Sequence, residues 1–159
     1  MPPKYKILVP MDFSELSKEA LTVAARIADR TGGRLIVLHV EEEATIPVQG
    51  VHLAAYAKQA MEERSLGNVA FRAVMARGSA AREIVARARR HQADAIVMST
   101  HARSGFNHLL LGSVAEEVLR HAPCPVLILN PNVAEASKDG RLNLGEMVLE
   151  AAGDFRENP

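Results

Sequence analysis

Residues 35–40, Leu-Ile-Val-Leu-His-Val, form the stretch that decides the fold. Its apolar side chains follow one another without alternation, and such runs are typical of parallel strands covered on both faces. A shorter apolar run at residues 7–9 ends in Pro10 and leads at once into Asp12-Phe13-Ser14-Glu15, whose oxygen-bearing side chains can cap a helix. The two runs predict a central parallel strand and, before it, a strand that leads directly into a helix.

The rest of the chain alternates between the same two kinds of segment. Apolar residues at three- and four-residue spacing indicate helices, and Gly32-Gly33 provides the end of the first one. The predicted helices cover residues 14–31, 52–66, 78–91 and 113–121, and the predicted strands cover residues 7–10, 35–40, 69–75, 95–98 and 126–129. This order predicts an α/β fold, a single doubly wound five-stranded parallel sheet with helices on both faces and right-handed crossovers. In such sheets a ligand lies at the carboxyl ends of the strands, where the strand order reverses.

Composition excludes several classes of protein. The chain has 159 residues, 48% of them hydrophobic and 24% charged, which is typical of a globular domain. Lys and Arg together number 19, as do Asp and Glu, so no overall field favours nucleic acid or an anionic membrane as a partner. The arginines at positions 82, 87, 89 and 90 lie on the outward face of a predicted helix, where we expect a solvated surface rather than an anion site.

Localisation follows from two further features. The single cysteine, Cys124, excludes an internal disulfide framework and favours a reducing compartment, and we expect it to be buried packing rather than a nucleophile. The N-terminus lacks the apolar core of a signal peptide, and no apolar run has the roughly 20 residues of a membrane span. We therefore expect a cytoplasmic protein.

A polar segment after the fourth predicted strand is the strongest candidate for a binding site. Ser99-Thr100-His101-Ala102-Arg103-Ser104-Gly105 is followed by Gly112-Ser113-Val114 at the start of a helix. Free backbone N–H groups and the helix dipole make such a helix start an anion site. The alternative, from these residues alone, is an ordinary turn with a helix cap.

Several separated blocks of sequence, in order, resemble the universal stress protein family. They are ILVPMDFSE, LIVLHV, ADAIVMSTHARSGF and LLLGSVAEEVLRHAPCPVLIL, and the resemblance covers roughly residues 4–130. It implies a Rossmann-like fold of the adenine nucleotide alpha hydrolase kind, with ATP or AMP as ligand and Mg²⁺ as an accompanying ion. We assign residues 1–132 to this domain and residues 133–159 to a linker with a short amphipathic helix or tail.

The chain matches the family's ATP signature at only two of its four fixed positions. The signature is a glycine, two residues, a second glycine, nine residues, then a glycine with serine or threonine. Its spacing is intact here, but the first two glycines are replaced by Ser99 and Ala102, while Gly112 and Ser113 match. Alanine is tolerated if the glycine provides room and unfavourable if it provides a positive φ. We expect the pocket to survive with weaker affinity, and we expect Ala102→Gly to tighten it.

The resemblance assigns nucleotide-binding roles along the chain. The residues concerned are Pro10, Met11, Asp12, Val40, Met98, Ser99, His101, Ala102, Arg103, Gly112, Ser113 and Val114. Asp12 would accept hydrogen bonds from the ribose, Met11 and Val40 would line the adenine and ribose region, and the later residues would surround the phosphates. Each has an alternative role: Asp12 as a helix cap, Val40 as ordinary core, His101 bonded to a backbone carbonyl, and Arg103 as a surface charge.

The resemblance also implies how the protein works. The leading hypothesis is a nucleotide-responsive homodimer that pairs through the apolar strand at residues 126–129 and signals to an unknown protein partner. An adaptor that no longer binds nucleotide is the first alternative, and a slow ATPase or autophosphorylating protein is the second. The sequence shows neither a general base beside a fixed water nor the ligand spacing of a metal site, so we name no catalytic or metal-binding residue.

Overall fold

Five parallel strands form a single sheet with a helix after each of the first four. The computed structural model describes residues 5–42, 47–100, 111–132 and 139, so the predictions for His101, Ala102, Arg103 and nearly all of residues 133–159 lie outside the described part. The strands are β1 (Lys6–Pro10), β2 (Arg34–Glu41), β3 (Phe71–Arg77), β4 (Ala95–Ser99) and β5 (Val126–Leu129). The helices are α1 (Glu15–Thr31), α2 (Gly50–Glu62), α3 (Ala80–His91) and α4 (Ser113–His121).

The strand order is β3-β2-β1-β4-β5, and every neighbouring pair is parallel. The chain builds outward from β1 to β2 and β3, then crosses back to place β4 and β5 on the other side. The order therefore reverses between β1 and β4, and the predicted doubly wound sheet is confirmed.

Alternate residues along the strands face two separate cores. On one side of β1, Ile7 and Val9 pack with α1 and α2, and on the other side Leu8 packs with α3 and α4. All three side chains are at most 2% exposed. Helices cover both faces because strand side chains point alternately up and down and both sets here are apolar.

The first helix begins and ends as its sequence predicts. Ser14 is the N-cap, and its Oγ accepts a hydrogen bond of 3.1 Å from the Ser17 N–H. At the other end Gly32 adopts a left-handed φ of +65°, and the Gly33 N–H donates to the Ala28 carbonyl at 2.8 Å. These contacts satisfy backbone groups that the helix ends leave without partners.

The predicted limits of α2 and β3 are wrong by a few residues. Ser65 adopts a φ of +59°, and the Leu66 N–H donates to the Met61 carbonyl at 2.8 Å, which ends α2 before the predicted limit at residue 66. Leu66 and Val69 are buried from within the turn that follows. The apolar pattern assigned them to a helix and a strand because burial alone does not distinguish an element from a packed turn.

Helix α3 has the predicted apolar inner face and basic outer face. Its residues Ala81, Ile84, Val85 and Ala88 are buried. Arg82, Arg89 and Arg90 are exposed, and Arg87 forms an ion pair of 3.3 Å with Glu83 one turn earlier.

Candidate functional site

The reversal of strand order places two predicted parts of the site side by side. β1 and β4 are neighbours, so Pro10, Met11 and Asp12 follow one strand where Met98 and Ser99 end the next. β1 leads to α1 on one face of the sheet and β4 leads to α4 on the other face. The connections diverge from this edge and leave the crevice where doubly wound proteins bind their ligands.

Asp12 is exposed in the turn between β1 and α1. Its Oδ1 accepts two hydrogen bonds from Ser14, one from the backbone N–H at 3.0 Å and one from Oγ at 2.5 Å. Ser14, in turn, caps α1. The alternative role of Asp12 as the cap itself is therefore wrong, because the carboxylate instead fixes the residue that caps the helix.

The apolar residues assigned to the site differ in how they are buried. Met11 is 3% exposed and packs in the core beneath α1, where its Sδ accepts a hydrogen bond of 3.1 Å from Ser17 Oγ. Met98 is 4% exposed and belongs to the core beneath α3 and α4. Val40 is half-buried and packs against that same core, so it lies on the α3 and α4 side of the sheet.

The start of α4 is held to the end of β4 by Thr100. Thr100 is 4% exposed, its Oγ1 accepts a hydrogen bond of 2.9 Å from the Gly112 N–H, and its own N–H donates to the Leu129 carbonyl at 3.0 Å. Thr100 was not predicted as a site residue, because a polar residue after an apolar strand is common and its partner, Gly112, is distant in sequence. Through this residue β4, β5 and α4 meet at one point.

Gly112 is the N-cap of α4 and Ser113 is its first residue. Gly112 has a φ of −60°, a value open to any residue, so its backbone conformation does not require glycine. Gly112 has no side chain with which to cap this helix start, whereas the side chain of Ser14 caps α1. The helix dipole and the backbone N–H groups at this end favour an anionic group.

A cleft of about 440 Å³ lies between the starts of α3 and α4. Its lining combines two predicted residues, Ser113 and Val114, with others that the sequence did not single out. The remaining lining residues are Glu42, Gly78, Ser79, Ala80, Ala81 and Glu117. The helix start at Gly78-Ser79 was predicted, but it was not assigned to the site, because it follows β3 and forms no part of the family signature.

Glu41, the last residue of β2, precedes Glu42 of the cleft lining and contacts three neighbouring segments. Its carboxylate accepts hydrogen bonds from the Val48 N–H and from the Arg77 guanidinium, the latter at 3.3 Å, and its carbonyl accepts one of 2.9 Å from the Gly78 N–H. Glu41 is buried, and its hydrogen bonds connect β2 with β3 and with the segment before α2.

Within residues 5–42, 47–100, 111–132 and 139, no group of three or more His, Cys, Asp or Glu side chains is placed to hold a metal ion. None of the helices seen in those ranges is long and apolar enough to cross a membrane. Cys124 is half-buried, and burial raises the pKa of its thiol.

The known proteins that resemble this chain belong to one family. The model of the universal stress protein family matches residues 5–130. Universal stress protein MJ0531 of Methanocaldococcus jannaschii is 32% identical over 137 residues, covering 78% of this chain and 81% of that protein. Universal stress protein YxiE of Bacillus subtilis is 28% identical over 144 residues, covering 78% and 97% respectively.

Solved structures share the fold. Universal stress protein UspA from Lactobacillus plantarum has 27% identity and a TM-score of 0.59, and the match covers 81% of this chain and 99% of that one. A universal stress protein in complex with cAMP has 23% identity and a TM-score of 0.66 over 80% of this chain and 98% of that one. The universal stress protein from Archaeoglobus fulgidus in complex with dAMP has 20% identity and a TM-score of 0.59 over the same shares.

The family match covers nearly all of the described residues. It includes the parallel sheet with its reversal between β1 and β4, and the helix start at Gly112 and Ser113. The chain belongs to the universal stress protein family.

Proposed function

We propose that this protein binds an adenine nucleotide, ATP or AMP, as a regulatory ligand of a cytoplasmic homodimer. One observation carries the proposal: Asp12 and the open helix start at Gly112 and Ser113 follow the two strands between which the sheet order reverses. A carboxylate suits the hydroxyls of a ribose, and a helix start suits a phosphate. The two ends of a nucleotide thus meet complementary groups at one edge.

The roles divide along the length of the nucleotide. Asp12 accepts hydrogen bonds from the ribose hydroxyls, with Met11 and Val40 beside the ribose and adenine. We assign His101, Ala102 and Arg103 to the phosphates, together with Met98 and Ser99 at the end of β4 and Gly112, Ser113 and Val114 at the start of α4. Proteins of the same fold occur in complex with cAMP and dAMP, which supports an adenine nucleotide as the ligand.

When ATP is the ligand, we expect Mg²⁺ to arrive on its phosphates. Mg²⁺ retains several of its waters and takes few protein ligands beside the phosphates of a nucleotide. Glu42 and Glu117 line the cleft, and their negative charges favour a hydrated cation there.

The proposed dimer pairs β5 with its copy. In the described part of the chain β5 is hydrogen-bonded on one side only, to β4, and its residues are Val126, Leu127, Ile128 and Leu129. An unpaired apolar strand edge favours association, and a two-fold axis would pair it with itself.

Isothermal calorimetry with ATP and AMP, on protein stripped of ligand, tests the proposal. We expect binding that Asp12→Asn weakens by about 10- to 100-fold, the usual value of hydrogen bonds to a charged group. Asp29→Asn is the matched control, because it removes an exposed carboxylate near the far end of α1. Ala102→Gly should bind ATP more tightly than the natural protein does.

Two experimental results would favour one of the alternative functions instead. The absence of both heat and a thermal shift at millimolar nucleotide would refute binding and leave the adaptor hypothesis. A turnover of ATP that disappears on Asp12→Ala or Ser113→Ala would instead make the protein a slow ATPase or an autophosphorylating protein.

A further inference from the structure

His39, in β2, contacts the turn between β1 and α1 in two ways. Its Nδ1 lies 2.7 Å from the carbonyl oxygen of Met11, and because a carbonyl only accepts, Nδ1 carries the hydrogen and donates. Its ring also packs against Phe13, with centroids 4.9 Å apart and planes inclined at 57°. One side chain thus touches the residues on both sides of Asp12.

The residue before Asp12 is held at three places. The Met11 N–H donates to the Leu38 carbonyl at 2.7 Å, its Sδ accepts from Ser17 Oγ at 3.1 Å, and its carbonyl accepts from His39. The first contact extends the pairing of β1 with β2 by one residue beyond Pro10, and the last fixes the plane of the peptide that joins Met11 to Asp12. Of the three contacts, only the one from His39 acts on that peptide.

The residue after Asp12 adopts an unfavourable backbone conformation. Phe13 has a φ of +64°, which is costly for a bulky side chain and persists only where surrounding contacts hold it. Its ring contacts both His39 and Tyr56, and the Tyr56 ring is nearly perpendicular to it with centroids 5.1 Å apart. Both contacts act on the turn in which Asp12 is exposed.

Tyr56 belongs to α2, whose position is fixed against α1. Two ion pairs connect α1 with the residues directly after α2: Lys18 with Glu63 at 2.7 Å, and the buried carboxylate of Glu19 with Arg64 at 2.8 Å. Phe13 thus has one ring contact from α2, with Tyr56, and one from β2, with His39.

We propose that His39 is a positioning residue, whose hydrogen bond to Met11 and ring contact with Phe13 hold the turn so that Asp12 presents its carboxylate to the ligand. The proposal rests on the proposed nucleotide site for the identity of that ligand. His39 is not among the residues assigned to contact the nucleotide, and its ring packs with Phe13 on the α1 and α2 side of the sheet, opposite Val40.

Two substitutions separate the contacts of His39. His39→Asn keeps an N–H donor at the same distance from Cβ as Nδ1 and removes the ring, whereas His39→Phe keeps a ring and removes the donor. We expect His39→Phe to weaken ATP or AMP binding about 10-fold relative to the natural protein, as expected when a carbonyl loses its partner. His39→Asn should stay within about threefold, because the hydrogen bond is the contact that fixes the peptide before Asp12. Equal affinities for all three proteins would overturn the proposal.

A double-mutant cycle distinguishes positioning from a general loss of stability. If His39 acts through Asp12, the roughly 10-fold cost of His39→Phe should fall below about twofold in a protein that already carries Asp12→Asn. A full 10-fold cost in both backgrounds would mean that His39 affects the site by another route, and the proposal would be wrong.

NMR relaxation tests the turn without any ligand. We expect backbone order parameters of residues 12–14 to fall from about 0.85 toward 0.6 in His39→Phe and to be retained in His39→Asn. Unchanged values in His39→Phe would refute positioning even if nucleotide binds. If the natural protein binds no nucleotide, the proposed function fails, and the order parameters alone decide whether His39 holds the turn.

Discussion

Gly112 donates its backbone N–H to Oγ1 of Thr100 across 2.9 Å, and this single hydrogen bond connects the end of β4 with the start of α4. The two residues lie on either side of residues 101–110 in the sequence, so the bond holds the two ends of that segment together. It fixes the helix start whose N–H groups and dipole would meet an anion.

Thr100→Val should weaken both the fold and the site. Valine has the shape of threonine without the hydroxyl, so the Gly112 N–H loses its acceptor at a cost of about 1–3 kcal/mol. Urea unfolding and ATP calorimetry would measure the two effects. Thr100→Ser keeps the hydroxyl and serves as the control, and a Val variant as stable and as tight as the Ser variant would contradict the assigned role.

Substitutions at the left-handed residues that follow α1 and α2 should change stability in opposite directions. Ser65 has a φ of +59°, where glycine is favoured, so Ser65→Gly should raise the free energy of unfolding by about 0.5–1 kcal/mol. Gly32 has a φ of +65°, and a Cβ there would meet no atom within 4 Å, so Gly32→Ala should cost about 1 kcal/mol through conformation alone. Thermal unfolding of both variants checks the pair, and shifts in the same direction would show that backbone conformation does not govern these turns.

His91 should make stability depend on pH. Burial lowers the pKa of His91 from its ordinary value of 6.5, and the charges of Arg72, Arg90, Arg87 and Lys6 lower it further. The unfolded chain then binds a proton more readily than the folded one, so the contribution is present above about pH 6.5 and is lost as the pH falls below it.

Urea unfolding between about pH 5 and pH 8 would measure this contribution. We expect the natural protein to lose more stability than His91→Gln as the pH falls through 6.5. Parallel curves for the two proteins would show that His91 titrates alike in the folded and unfolded chains.

The proposed dimer should depend on the outward main-chain groups of β5. The Leu129 carbonyl accepts from Thr100 and the Pro125 carbonyl accepts from Ile96, so the alternation of the ladder directs the Ile128 N–H away from β4. Ile128→Pro removes that donor, and Ile128→Ala removes similar bulk but keeps it. Sedimentation should find Ile128→Pro monomeric and Ile128→Ala dimeric, and a dimer in both would exclude pairing through this strand.

Much of the fold was predictable because its sheet is covered on both faces. The run at residues 35–40 and the capping residues before α1 were sufficient to place β2 and the β1–α1 junction, since continuous burial and capping leave local signals. The boundaries near Leu66 and Val69 were not predictable, because a packed turn buries apolar side chains as a helix or strand does.

The candidate site was less predictable than the fold. Gly112 and Ser113 could be found because they form part of a signature with fixed spacing. Thr100 and His39 could not, since each acts through a hydrogen bond to a residue distant in sequence, Gly112 and Met11 respectively. Nothing in a local pattern distinguishes such a partner from any other polar residue near a strand end.

The central position of β1 affects how a bound ligand would change amide hydrogen exchange. β1 is paired on both edges, to β2 and β4, and its residues Ile7, Leu8 and Val9 are almost completely buried on both faces. Amide hydrogens in such a strand exchange with solvent only when the whole domain opens, whereas those of the outer strand β3 exchange through smaller, local openings. A ligand held where β1 ends should therefore slow exchange throughout the domain, and not only beside the residues that it touches.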